Sequence, residues 1–330
     1  MELPPLTENY FSSKPHKERK YRWLLFLLIL SLTVFLYIFW MPLRDTAFTY
    51  SLVSITVGST AIFLFFQGVT TLGSEGFFLI FLSAIYWSVN KTLGFWGLIL
   101  MPLAIFVTSE VPKDIIRLPR PEVRGVSVPT YTFPSGHTSG AVSVWGYLAV
   151  MIKKRWFWMI ALFIMAMVGL SRTMLGYHYL GDVIGGIITG SVFLVIFFWI
   201  ATRIIKYSFA EKLSFHLLMF LALAVPLALS FAPALYAPNL MGYLAGAGTG
   251  YLLERKYVNF NLQGNLSQHF LRALLGMVVI AIIVLGPDLL FPLNFHLLTF
   301  FKHALATFWA TYLAPLAFIR LGLAGVQQPD

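Results

Sequence analysis

Apolar runs long enough to cross a membrane recur from near the start to near the end of this 330-residue chain. A spanning helix needs roughly 20 mostly apolar residues, since its backbone groups have no water to bond and must satisfy one another. Such runs fall near 22–40, 77–90, 95–110, 136–152, 156–171, 183–203, 213–231, 235–253, 268–286 and 296–319. The pattern predicts an all-α, polytopic integral membrane protein. Charged residues make up only 11% of the chain, where a soluble domain carries about a quarter.

The formal net charge is +10. The basic residues cluster beside apolar runs, as in Lys14–Arg22, Lys153–Arg155, Arg203–Lys206 and Arg255–Lys256. That is the distribution of topology signals rather than of a nucleic-acid surface, so no nucleic-acid partner is expected. The chain contains no cysteine, which excludes disulfides, thiolate metal sites and cysteine nucleophiles. The run from Trp23 to Trp40 is too long for a signal-peptide core and lacks a small-residue cleavage site, so it reads as a retained first helix.

Residues 1–20 read as a cytoplasmic tail. The positive-inside rule puts both that tail and Lys153–Arg155 in the cytoplasm, so an even number of spans must separate them. The Ser/Thr-rich stretch 46–70 would break that parity if it crossed, and is expected to be interfacial or re-entrant on the outer side. A true span with an outside N-terminus is the rival arrangement. With the first choice, the loops 111–135 and 172–182 face outward. The chain then divides into a six-helix block over 21–205 and a four-helix block over 206–330. The second block shows no catalytic constellation; a lipid-tail cavity, a dimer face or a separate activity are all open to it.

Three polar clusters sit at the outer ends of helices in the first block. One runs from Lys113 through Arg117 to Arg120-Pro121, one is Pro134-Ser135-Gly136-His137, and one is Ser171-Arg172 with His178 and Asp182. Lys113, Arg120 and Arg172 put cations where the positive-inside rule disfavours them, which calls for an anionic partner. Arg forks and a Lys point charge suit phosphate oxygens. Pro134-Ser135-Gly136 opens a helix whose free N–H groups form an anion seat. His178 and Asp182 are four apart, and a carboxylate beside an imidazole fixes its tautomer. The surrounding cations would repel a metal ion, so no metal and no other cofactor is expected.

Together, Lys-x6-Arg-Pro, Pro-Ser-Gly-His and Ser-Arg-x5-His-x3-Asp resemble the motifs of the type 2 phosphatidic acid phosphatase superfamily, in order and in spacing. The resemblance covers about 22–203. It implies a six-helix core and metal-free hydrolysis through a phosphohistidine. It also implies His178 as nucleophile, Asp182 as its orienting group and His137 as general acid. Lys113, Arg120, Arg172, Ser135 and Gly136 would hold the phosphate, with Arg117 outside the motif. Gly73-Ser74-Glu75 and Leu118-Pro119-Arg120-Pro121 look more like the sphingosine-phosphate-phosphatase-like branch and its bacterial relatives.

The expected activity is therefore hydrolysis of a lipid phosphate or diphosphate monoester at the outer face of a bacterial plasma membrane. Undecaprenyl diphosphate, phosphatidic acid, phosphatidylglycerol phosphate and sphingoid phosphates are the candidate substrates. A lipid phosphotransferase using the same intermediate, and a transporter or scramblase with a vestigial site, are the alternatives.

Overall fold

A computed structural model of the protein describes residues 42–122, 130–206, 212–232, 237–290 and 295–327. The tail at 1–20 and the expected first span at 22–40 lie outside these residues. Among the described residues the regular structure is helical, apart from a single bridge between Phe260 and Val326. The protein is all-α, as its sequence predicts. Lys91–Ile116, Arg155–Met174, Leu180–Ile204 and Leu266–Asp288 are long and apolar enough to cross a membrane. Trp156, Met159, Phe163 and Leu170 stand exposed along the second of these, at helical spacing. Such an apolar stripe suits lipid contact.

The chain folds as two compact units. Among the described residues, one comprises those within 42–77 and 104–204, and the other those within 78–103 and 205–327. The packing thus interleaves along the sequence, with 78–103 grouped with the C-terminal helices rather than with its immediate neighbours.

In the first unit, α1 (Thr46–Val57) and α2 (Thr60–Thr71) meet at an angle of 110°. Asp45 caps α1 by accepting from Ala47 N at 2.7 Å, and Ser59 caps α2 by accepting from Ile62 N. The hydroxyls of Ser51, Ser54 and Thr56 bond carbonyls one turn back, so this Ser/Thr-rich stretch satisfies itself locally. Thr56 also reaches Met174 O at 2.9 Å. Helix α3 (Glu75–Ser88) begins here, and α4 (Lys91–Ile116) ends here. Pro112, lacking an N–H, cannot close an ordinary turn onto Thr108. The helix passes through a π-turn at Phe106–Glu110 just before it. Helices α5 (Gly136–Ile152), α6 (Arg155–Met174) and α7 (Leu180–Lys206) complete the unit. A Cβ at Gly186 of α7 would lie 2.7 Å from Ser135 O, so a larger residue there would push the starts of α5 and α7 apart.

In the second unit, α8 (Phe215–Ser230), α9 (Pro238–Leu253), α10 (Leu266–Leu290) and α11 (His296–Phe308, continued to Arg320) pack with 78–103. The small residues of α9 let it lie directly against α11: a Cβ on Gly246 would collide with Ala304 O. Glu254 is fully buried where α9 ends. It accepts from Lys91 Nζ at 2.8 Å, Phe260 N at 2.8 Å and Tyr86 Oη at 3.3 Å. Arg272, also fully buried, is held by backbone carbonyls, among them Leu262 O at 2.8 Å and Gln263 O at 2.6 Å.

Removing one partner of a buried ion pair leaves an uncompensated charge. Glu254→Ala should therefore destabilise the protein by about 3–5 kcal/mol, read as a lowered melting temperature in detergent. Adding Lys91→Met should recover part of that loss.

Candidate active site

The site lies wholly within the first unit. The end of α4 supplies its first cation. Lys113 Nζ bonds Glu110 Oε1 at 2.8 Å, and that same oxygen accepts from Ser109 Oγ at 3.1 Å. The helix stops at Arg117, whose φ of 53° is left-handed and whose N–H bonds Lys113 O. Arg117 Nε donates to Asp114 O on the same turn, so this exposed residue caps the helix.

Arg120 follows in an extended segment. Its Nε donates to Thr130 O at 3.1 Å and Oγ1 at 3.0 Å; its Nη1 donates to Tyr177 O at 2.9 Å and lies 3.3 Å from His178 Nε2. The Arg44 side chain bonds Pro119 O at 2.6 Å and stacks 4.5 Å from the Tyr179 ring centre, tying the Arg120 segment to the His178 turn.

Ser135 caps α5. Its N–H donates to Asp182 O at 3.0 Å, and its hydroxyl accepts from Thr138 Oγ1 at 2.9 Å. Gly136 begins the helix against α4: a Cβ there would lie 2.6 Å from Ser109 Oγ and 3.7 Å from Lys113 Nζ.

The end of α6 is a Schellman turn. Gly176, at φ 73°, bonds Thr173 O through its N–H, and Tyr177 N bonds Arg172 O. The turn folds Tyr177 and His178 back over Arg172, whose guanidinium carbon sits 4.5 Å from the Tyr177 ring centre. Arg172 Nη1 donates to Thr70 Oγ1 at 2.8 Å, while its Nε is buried with no hydrogen-bond partner among the described residues.

These segments enclose a cavity of about 400 Å³. Lys113, Arg120, Gly136, His137, Arg172 and His178 all line it, together with Glu75 and Glu110. Ser135 and Asp182 do not line it; both are fully buried behind it. His178 and Asp182, four residues apart in sequence, do not lie on one helix. His178 precedes α7, and its Nδ1 is 3.7 Å from Asp182 Oδ2, beyond a hydrogen bond. Thr132 Oγ1 stands between them, 3.1 Å from Nδ1 and 2.5 Å from Oδ2. Oδ2 also accepts from Tyr179 N at 3.0 Å. Among the described residues no three His, Cys, Asp or Glu side chains form a group able to hold a metal ion.

Burial pushes the His178 imidazole well below its ordinary value of 6.5, and the nearby Arg172, Arg120 and Lys113 push it further the same way. The ring is therefore neutral at pH 7, with a lone pair available on one nitrogen.

The sequence reading did not single out Thr132, Glu110, Thr70 or Arg44. Thr132, two residues before Pro134-Ser135-Gly136-His137, and Glu110, three before Lys113, carried the only local signal, which was proximity to a motif. Thr70 and Arg44 are distant in the chain and carried none.

A cation-lined cavity with two histidines, at helix ends of a membrane protein, suits a phosphate-bearing ligand. Comparison with known proteins identifies the family. Residues 92–206 match the PAP2 superfamily, and residues 238–326 match the PAP2 superfamily phosphatase, transmembrane extension. Phosphatidylglycerophosphatase B of Bacillus subtilis is 32% identical over 148 residues, covering 40% of this chain and 70% of that protein. Mouse sphingosine-1-phosphate phosphatase 2 is 26% identical over 143 residues, covering 40% of each chain. The crystal structure of a transmembrane PAP2-type phosphatidylglycerolphosphate phosphatase from Bacillus subtilis aligns at 25% identity. Its TM-score is 0.45, over 55% of this chain and 95% of that one. The chain belongs to the PAP2 superfamily and is a lipid phosphate phosphatase. The C-terminal helices, to which the sequence reading gave no role, match the superfamily's own transmembrane extension.

Two outcomes follow from this geometry. Gly136→Ala should drive a methyl group into Ser109 and lower kcat/KM without unfolding the protein, checked by activity alongside melting temperature. A depressed His178 pKa leaves the neutral ring populated as pH falls through 6.5. The enzyme's acid limb in kcat/KM should therefore lie below 6.5, measured with a substrate whose own ionisation is corrected for.

Proposed function

We propose that the enzyme hydrolyses a lipid phosphate in two half-reactions through a phosphohistidine on His178. The observation that carries this reading is the position of His178 on a cavity lined by Lys113, Arg120 and Arg172, with its Nε2 3.3 Å from Arg120 Nη1. In the first half-reaction Nε2 attacks phosphorus, the P–O bond to the lipid breaks, and His137 gives a proton to the leaving alkoxide. In the second, His137 takes a proton from water, the resulting hydroxide attacks phosphorus, and the P–N bond breaks to return His178 and free phosphate. Charge spreads over the equatorial oxygens in each transition state, and fixed cations stabilise it. Lys113, Arg120, Arg172 and the Gly136 N–H supply that stabilisation, while Ser135 braces the start of α5. No step draws on a metal.

The basic clusters, which favour the inner side, support a site on the outer face of a bacterial plasma membrane with the N-terminus in the cytoplasm. The relatives make phosphatidylglycerol phosphate and sphingosine 1-phosphate the first substrates to offer, beside phosphatidic acid and undecaprenyl diphosphate.

The test is phosphate release by detergent-purified protein from that panel, with chelator present. Wild-type enzyme should release phosphate from at least one lipid without added metal, and His178→Ala should lose about 10³-fold or more in kcat. Full activity in His178→Ala would falsify the nucleophile assignment. Strict dependence on added metal would remove the metal-free mechanism.

A further inference from the structure

We infer that Asp182 acts on His178 through the hydroxyl of Thr132, making Thr132 a positioning residue for the nucleophile. The inference rests on the reading of His178 as the attacking group.

Hydrogen bookkeeping carries it. A hydroxyl has one proton to donate and two lone pairs with which to accept. A carboxylate can only accept, so at 2.5 Å the Thr132 proton goes to Asp182 Oδ2. What Thr132 then presents to His178 Nδ1, 3.1 Å away, is a lone pair. Nδ1 must carry a hydrogen. On the other side of the ring, Arg120 Nη1 has hydrogens and no acceptor capacity, so Nε2 at 3.3 Å must carry the lone pair. Both neighbours select one tautomer, the one whose free nitrogen faces the cavity. Without the hydroxyl, the ring keeps the Thr132 backbone as a neighbour but loses its link to Asp182, whose Oδ2 is 3.7 Å from Nδ1.

Thr132 is itself held in place. It is fully buried, and its N–H bonds Leu118 O at 2.9 Å, which fixes it to the segment leading into Arg120. One backbone bond thus sets Thr132 and Arg120, the groups on the two sides of the ring, relative to each other. When Nε2 bonds phosphorus, positive charge develops on the imidazole. Nδ1–H keeps its proton and strengthens its bond to Thr132 Oγ1, whose own proton already leans toward the carboxylate. No proton is transferred along the chain.

A purely structural Thr132 would serve only to satisfy Asp182. Thr132→Val keeps the shape and removes the hydroxyl, and Thr132→Ser keeps the hydroxyl. With the relay in place, Thr132→Val should lower kcat by about 10–100-fold, the usual cost of losing an outer-shell partner, with KM little changed. Thr132→Ser should retain most of kcat. Combining Thr132→Val with Asp182→Asn should cost no more than Asp182→Asn alone, since both cut one chain. Size-exclusion profiles and melting temperatures check folding. If the Val variant does not fold, Thr132→Cys, with its weak donor, replaces it.

Wild-type kcat in Thr132→Val, equal losses in the Ser and Val variants, or a double-mutant loss equal to the product of the two single losses would each overturn the relay. A His178→Ala control in the same assay separates the two claims. Its retained activity defeats the nucleophile reading, while its inactivity beside an unimpaired Thr132→Val defeats the relay alone.

Discussion

The close approach of α5 and α7 is the contact on which the site depends. Gly186 lets Ser135 O come within a distance that a side chain would forbid, and Ser135 N then bonds Asp182 O at 3.0 Å. That bond joins the start of the helix bearing His137 to the start of the helix bearing Asp182. Two pieces of the site, some 45 residues apart in sequence, become one rigid corner. The Schellman turn after α6 then needs only to lay His178 across it.

Burial and charge act together at this corner. Burial, and after it the cations of Arg172, Arg120 and Lys113, keep the His178 ring neutral; the two arginines are themselves held by neutral groups such as Thr130, Tyr177 O and Thr70. Arg120 and Arg172 have no carboxylate within ion-pair distance among the described residues, so they keep their charge for a ligand. Arg172 Nε goes further and has no partner at all there. A buried donor left unbonded costs free energy until something accepts from it, which favours a bound phosphate oxygen.

Much of this was legible in the sequence, for physical reasons that also explain what was not. Spanning helices announce themselves by length and hydropathy: the run at 136–152 became Gly136–Ile152, and that at 156–171 became Arg155–Met174. Motif residues announce themselves by type, since cations at a membrane surface are costly without a purpose. Lys113, Arg120, His137, Arg172 and His178 do share one cavity. Spacing proved a poor guide to His178 and Asp182, because a four-residue interval implies a shared face only inside a helix, and α7 begins after His178. Thr132 was invisible because a single hydroxyl leaves no periodic trace; its partners lie 46 and 50 residues away. The grouping of 78–103 with the C-terminal helices was likewise hidden, since apolar periodicity says that a helix packs without saying against which other.

Glu110 gives the resting site a property of its own. Its carboxylate already occupies the ammonium of Lys113 inside the cavity. On the proposed reading, an arriving phosphate competes with a resident anion for the same partner. Binding is thus an exchange, and its strength is a difference between two ion pairs. A singly charged carboxylate offers little advantage over the one in place, whereas a phosphate dianion does. The cavity carries its own standard of comparison, set by one acidic side chain three residues before the lysine it guards.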